Sequence, residues 1–182
     1  MRKEVIMAGF GGQGVMAIGK NLVKAGMEEG YEVTWVPSYG PEMRGGTSNC
    51  SVIISDTRIG TPLIEHPTEL IAMNRPSLDK FEDDVQSGGM IFVNSSTVSK
   101  EAEHINRDDV KVYHIPCDDI ANELGNSKVG NMVMLGAYIG ATDALKVSTI
   151  EEMIEHTFEG KKAELVELNK EALRRGIELV KN

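Results

Sequence analysis

The stretch Val5–Lys20, VIMAGFGGQGVMAIGK, decides how this chain is read. A short apolar run breaks into four glycines within six residues and then re-forms as a helix. Gly9, Gly11 and Gly14 satisfy G-x-G-x-x-G, and the run before them has the continuous apolar character of a buried parallel strand, the context that motif requires. Glycine tolerates positive φ and lets the backbone come close to a ligand, while the free N–H groups at the start of the next helix favour anionic oxygen. A phosphate-bearing ligand is therefore expected at the turn, although glycine-rich strand-to-helix turns also serve close packing alone. Nicotinamide recognition further calls for an acid at the end of the second strand. Here that strand, Tyr31–Val36, ends in Pro37 and Ser38, so the motif keeps its phosphate meaning and loses much of its dinucleotide meaning.

Outward from the turn, Lys3–Ala8 is the first strand and Val15–Glu29 the first helix, with Val15, Ile18, Leu22, Val23 and Ala25 at helical spacing and Gly30 as its stop. The second strand follows at once, in βαβ rhythm. Pro37–Asn49, PSYGPEMRGGTSN, is dense in turn formers and reads as a loop. Thr47–Ile54 is rich in β-branched residues, and Arg58–Ile64 is expected to return beside it as a hairpin partner, making the sheet mixed. Glu69–Asn74 is a short apolar strand, and Pro76 opens a helix with Leu78, Phe81 and Val85 on its inner face. Met90–Val93, leaving through Asn94-Ser95-Ser96, and Val110–Ile115 complete the strands. The remainder is helical: Asp118–Leu124, the methionine-rich Asn131–Thr142, a helix to Phe158 opened by a Ser148/Glu151 capping box, and the amphipathic Lys161–Lys181. Leu165, Leu168, Ala172 and Val180 form the stripe of the last helix, expected to dock on its own domain. The fold expected is one three-layer α/β/α domain over residues 1–182, with a mostly parallel, mixed sheet, a Rossmann-like start and a helical C-terminal part from about residue 118.

Charge and composition narrow the function classes. A net charge of −9 over 182 residues leaves no clustered cations for a nucleic-acid backbone. No segment approaches the roughly 18 apolar residues of a membrane span, and Met1–Ala8 lacks a signal-peptide core, so a cytoplasmic protein is expected. The two cysteines, Cys50 and Cys117, are far apart and form no C-x-x-C, so neither a zinc site nor an iron–sulfur cluster can be built from them. Asp118 and Asp119 oppose a thiolate at Cys117, and an inert buried thiol is expected there. His66, His104, His114 and His156 lack metal-ligand spacing. No nucleophile is tied to a base by spacing, so the chain reads as a binder of a phosphorylated ligand without a complete catalytic apparatus.

Ligands of α/β sheets lie outside the carboxyl ends of the strands. The glycine turn, the Pro37–Asn49 loop and the Asn94–Ser96 exit all follow strands and are expected to converge. Arg44, in the glycine-rich part of the loop, has the planar fork to take a phosphate bidentately, or else pairs with Glu42 on the surface. Tyr39 offers a ring to stack on a base or to cover a pantetheine-like chain.

The segments GFGGQGVMAIGK, PSYGPEMRGGTSNCSVIIS, ELIAMNRPSLDKF and VGNMVMLGAYIG together resemble the gamma subunit of the 2-oxoacid:ferredoxin oxidoreductases, over roughly Lys3 to Thr142. The loop YGPEMRGGT is more similar to the 2-oxoglutarate and branched-chain 2-oxoacid members than to the pyruvate members. The resemblance implies a subunit of an assembly that oxidatively decarboxylates a 2-oxoacid, 2-oxoglutarate being favoured, to an acyl-CoA and passes electrons to ferredoxin. It implies thiamine diphosphate and iron–sulfur clusters in alpha, beta and in some members delta partner subunits, and a coenzyme A role for this one. Carried over by motif, Gly9, Gly11, Gly12, Gln13 and Gly14 approach the ligand with backbone groups. Ser38, Tyr39, Arg44, Gly45, Gly46 and Thr47 form the facing loop, with Arg44 as the candidate for the ribose 3′-phosphate. A free-standing NAD- or FAD-dependent oxidoreductase and a scaffold domain without ligand are the alternatives.

Overall fold

The computed structural model describes residues 1–38, 47–99, 105–160 and 163–181. Its elements are β1 (Arg2–Phe10), α1 (Val15–Glu28), β2 (Glu32–Ser38), β3 (Thr47–Ser55), β4 (Glu69–Ala72), α2 (Arg75–Phe81), β5 (Met90–Asn94), β6 (Lys111–Ile115), α3 (Cys117–Glu123), α4 (Gly130–Thr142), α5 (Val147–Thr157) and α6 (Ala163–Val180). The strands form one sheet in the order β2-β3-β1-β4-β5-β6. β1, β4, β5 and β6 are parallel, whereas β3 is antiparallel to both β1 and β2. The β1–α1–β2 unit is therefore a parallel crossover with a reversed strand inserted between its two arms.

That insertion corrects the expected hairpin. The sheet is mixed, but residues 58–64 form no strand. β3 pairs along its length with β1 on one side and β2 on the other, so it has no edge left for them. Gly60 and Pro62, the latter without an N–H, also suit that segment poorly to a ladder.

Period-2 alternation sorts the strand side chains into two cores. Val5, Met7, Val52, Ile54, Ile71 and Phe92 face one, built with α1, α3, α4, α5 and α6. Ile6, Leu70, Ala72, Ile91 and Val93 face the other, covered by Leu78 and Phe81 of α2 together with Val85 and Val98. The three layers are thus unequal, with one of the described α-helices on the thinner side. Pro76 lies in the first turn of α2 as expected, and Asn74 caps that helix by accepting a hydrogen bond from the Ser77 N–H.

Two helix expectations change. α5 begins at Val147, so Ser148 sits inside the first turn and no side chain caps the helix. The Lys146 N–H donates instead to Glu29 Oε1 at 2.7 Å, tying the entry of α5 to the end of α1. In α6 the fully packed face is Ala172, Leu173, Gly176 and Ile177, while Leu165, Leu168 and Val180 are half-buried at its margins. This face crosses α4 at very short range. A Cβ on Gly176 would lie 1.9 Å from the Val133 carbonyl oxygen, and one on Gly136 would lie 2.0 Å from that of Leu173. Among the described residues no helix is long and apolar enough to cross a membrane.

Candidate functional site

The strand registers bring the expected segments to one edge of the sheet. β1, β4, β5 and β6 all end there, and β3 starts there, with Phe10 opposite Thr47 and Ser38 opposite Asn49. The glycine turn, both anchors of the 39–46 loop and the Asn94–Ser96 exit therefore share an edge. Tyr39, Arg44, Gly45 and Gly46 lie outside the described residues. Ser38 is the last residue of β2, and Thr47, whose side chain is also outside the description, is the first of β3.

The glycines divide by role. Gly9 belongs to β1, where a Cβ would come within 2.9 Å of Val15 Cγ2, Gln13 Oε1 and Met73 Cβ, so it serves close packing. Gly12 has φ +94° and open space around its Cα, and Gly11 is exposed beside it. Gly14, at φ +76°, immediately precedes α1, and a Cβ there would meet the Asn131 side chain at 2.6 Å. No side chain caps α1 and its first turn holds no acid. The positive end of a 14-residue helix thus faces the cleft with nothing from its own sequence to neutralise it.

The Gln13 side chain holds this turn in place. Its Oε1 accepts from the Phe10 N–H at 2.7 Å and from Asn74 Nδ2 at 3.2 Å, and its Nε2 donates to the Met73 carbonyl at 2.9 Å. That carbonyl also accepts from Thr97 Oγ1 at 2.8 Å and, at 3.4 Å, from Asn94 Nδ2. Asn94, fully buried, reaches Asp118 with the same Nδ2 and takes the Cys117 N–H on its Oδ1. Ser96 Oγ accepts from the N–H groups of Asp118 and Asp119 while donating to Asp119 Oδ2. The side chains of Asn94 and Ser96 are thus occupied in stitching β5 to α3.

What stays open is a cleft of about 450 Å³ lined by Phe10, Gly11, Gly12, Gly14, Met16 and Lys20. Phe10, 42% exposed, and Lys20 are additions the sequence reading missed. The signal was present in that Phe10 lies inside the glycine motif and Lys20 one and a half helical turns beyond it. The Lys20 ammonium stands 5.3 Å from the Trp35 ring centroid, within reach of the cleft mouth. The cleft offers backbone donors, a cation and an apolar wall, which suits binding of a phosphorylated ligand, and among the described residues no nucleophile–base pair lines it. Both thiols are buried and free. Burial pushes Cys50 up to about 11, and burial together with the Asp118 charge pushes Cys117 well above the usual thiol range. Neither is an activated nucleophile. Among the described residues no group of three metal-ligating side chains is assembled.

Residues 4–179 match the family model described as pyruvate ferredoxin/flavodoxin oxidoreductase. The chain is 42% identical to the ketoisovalerate oxidoreductase subunit VorA of Methanothermobacter thermautotrophicus over 177 residues, covering 96% of this chain and 36% of that protein. The chain thus spans about a third of the length of that relative. It is 37% identical to the 2-oxoglutarate synthase subunit KorC of Methanothermobacter marburgensis over 161 residues, 86% of this chain and 87% of the relative. Among solved structures, the keto/oxoacid ferredoxin oxidoreductase gamma subunit of Geobacter sulfurreducens superposes with a TM-score of 0.81 at 27% identity, covering 98% of both chains. The 2-oxoglutarate:ferredoxin oxidoreductase of Magnetococcus marinus, solved with 2-oxoglutarate, coenzyme A and succinyl-CoA bound, superposes with a TM-score of 0.90 at 24% identity, over 99% of this chain and 31% of that one, and so supports the fold. With its glycine turn, its mixed six-stranded sheet and a match over nearly its whole length, the chain belongs to the pyruvate ferredoxin/flavodoxin oxidoreductase family.

Proposed function

We propose that this chain is the coenzyme A-handling gamma-type part of a 2-oxoacid:ferredoxin oxidoreductase, and that it carries no complete active site of its own. The observation that carries this reading is the uncapped start of α1 behind Gly12 and Gly14, both at positive φ, facing an open cleft at the carboxyl edge of the sheet. In it, the backbone of Gly11–Gly14 receives the diphosphate, and Ser38, Tyr39, Arg44, Gly45, Gly46 and Thr47 form the second wall. The oxoacid is 2-oxoglutarate or a branched-chain 2-oxoacid, in keeping with the YGPEMRGGT loop and with relatives named for each. Thiamine diphosphate and the iron–sulfur clusters sit in partner subunits, ferredoxin takes the electrons, and the assembly works in the cytoplasm.

The test is a coenzyme A titration of the assembled complex carrying Gly12→Asp or Gly12→Asn. The two substitutions impose similar backbone strain at φ +94°, and neither meets a neighbour within 4 Å of the Cβ, so they differ in charge. Gly12→Asp is expected to weaken coenzyme A at least tenfold relative to Gly12→Asn. Equal affinities would remove the turn from the site.

A further inference from the structure

A second groove adjoins the glycine cleft and shares Ala17 and Lys20 with it. It measures about 230 Å³ and lies between α1, the start of α4, the end of α5 and α6. Lys20 and Lys24, on one face of α1, meet Lys128 across it, over a floor that includes Met132, Ile154 and Phe158. In a chain of net charge −9, three lysines gather here, and no described carboxylate forms an ion pair with any of them. Lys20 stands over the Trp35 ring and all three lysines are exposed, so the groove mouth presents solvated ammonium groups whose summed field attracts an anion.

A second observation points the same way. Asn21, 9% exposed, also lines the groove and presents an amide donor and acceptor to it. Asn131 joins the two clefts, because it lines this groove while packing against Gly14 at the mouth of the other. Lys20, shared by both clefts, stands six residues beyond Gly14, about 9 Å along the helix axis, and helical side chains lean back toward the N-terminus and so toward the glycine turn.

We infer that the Lys20–Lys24–Lys128 groove holds the phosphorylated adenosine end of the same ligand, with the ribose 3′-phosphate among the lysines, the base on the Met132–Ile154–Phe158 floor and Asn21 hydrogen-bonding the nucleoside. This inference rests on the coenzyme A reading and sharpens it. It assigns the 3′-phosphate to α1 and the Lys128 turn, whereas Arg44 remains available for the diphosphate. Discrimination between coenzyme A and dephospho-coenzyme A then lies in this groove.

The experiment titrates coenzyme A and dephospho-coenzyme A into the assembled complex of the parent, of the double variant Lys24→Ala/Lys128→Ala, and of Arg44→Ala. Lys24 and Lys128 are exposed and outside both cores, so the double variant is expected to assemble normally. The parent should prefer coenzyme A, and the double variant should lose at least tenfold for coenzyme A while keeping its affinity for dephospho-coenzyme A. Three outcomes overturn the inference: unchanged coenzyme A affinity, an equal loss for both ligands, or loss of the preference in Arg44→Ala alone. If the parent binds neither ligand, the coenzyme A reading falls as well, which separates that failure from failure of the groove alone.

Discussion

Replacing Gly176 with alanine tests the tightest glycine contact among the described residues. In an exposed helix this change is stabilising by about 1 kcal/mol, because alanine is the better helix former. Here the new methyl would stand 1.9 Å from the Val133 carbonyl oxygen and 2.8 Å from the Ala137 nitrogen, both main-chain atoms of α4 that no rotamer change can move. To restore ordinary contact at 3.4 Å, the two helices must part by about 1.5 Å at the crossing. A gap of 0.5–1 Å already forfeits roughly a quarter to a half of each dispersion contact, and overpacking of this kind costs about 1–3 kcal/mol. Taking the upper end because backbone meets backbone, and subtracting the propensity gain, leaves a destabilisation of about 2 kcal/mol. For a chain of this size that is a fall in Tm of roughly 4–8 °C. Differential scanning calorimetry of the purified chain measures it, with Gly60→Ala, whose Cβ meets nothing within 4 Å, as a control expected within about 0.5 kcal/mol of the parent. A Gly176→Ala variant stabilised by about 1 kcal/mol would refute the close crossing. The effect should reach the ligand as well, since α4 carries Asn131, two residues before Val133, against Gly14.

Gln13→Leu keeps the volume but strips the hydrogen bonds to Phe10, Met73 and Asn74; an expected loss of about 1–3 kcal/mol should come with faster hydrogen exchange at the Phe10 amide, and an unchanged amide would show that the clamp is idle. Arg107 binds Asp109 through two nitrogens and donates to the Val85 carbonyl at 2.8 Å. The Arg107 guanidinium lowers Asp109 to about 2. A depressed carboxyl stabilises above its ordinary value near 4, and that contribution disappears as pH falls from about 4 to about 2. The parent should therefore lose more Tm than Asp109→Asn over that interval, by a small margin because the pair is exposed, and parallel curves would contradict it.

Most of the scaffold was legible because it obeys periodicity. Val5–Ala8 and Ile91–Val93 read as buried strands, α4 reads as buried all round, and Pro76 marks a helix start, each from local composition. What misled was non-local. Nothing in Thr47–Ser55 announces that both of its edges are taken, so proximity in sequence suggested Arg58–Ile64 as its partner. Ser148 and Glu151 carry the pattern of a capping box, yet Glu29, distant in sequence, meets the Lys146 N–H and the helix starts a residue before Ser148. At the site, the glycine pattern located the turn but could not divide its labour. Only packing distances separate Gly9, which must lack a side chain to admit Val15 and Met73, from Gly12, which has free space. Phe10, Lys20 and the Lys128 side of the second groove needed the tertiary fold, since α1, α4, α5 and α6 meet there from well-separated parts of the chain.

The reversed strand between β1 and β2 bears on how the protein is born. Until residue 55 has left the ribosome, β1 and β2 stand about 10 Å apart, two strand spacings, with no backbone partner between them. The first half of the crossover therefore cannot set as an independent unit during synthesis. β3 is hydrogen-bonded to both neighbours, and its register sets the two ends of the 39–46 loop at the same sheet edge as the glycine turn. β4, β5 and β6, which extend the sheet on the other side of β1, and α4, which packs Asn131 against Gly14, follow later in the chain.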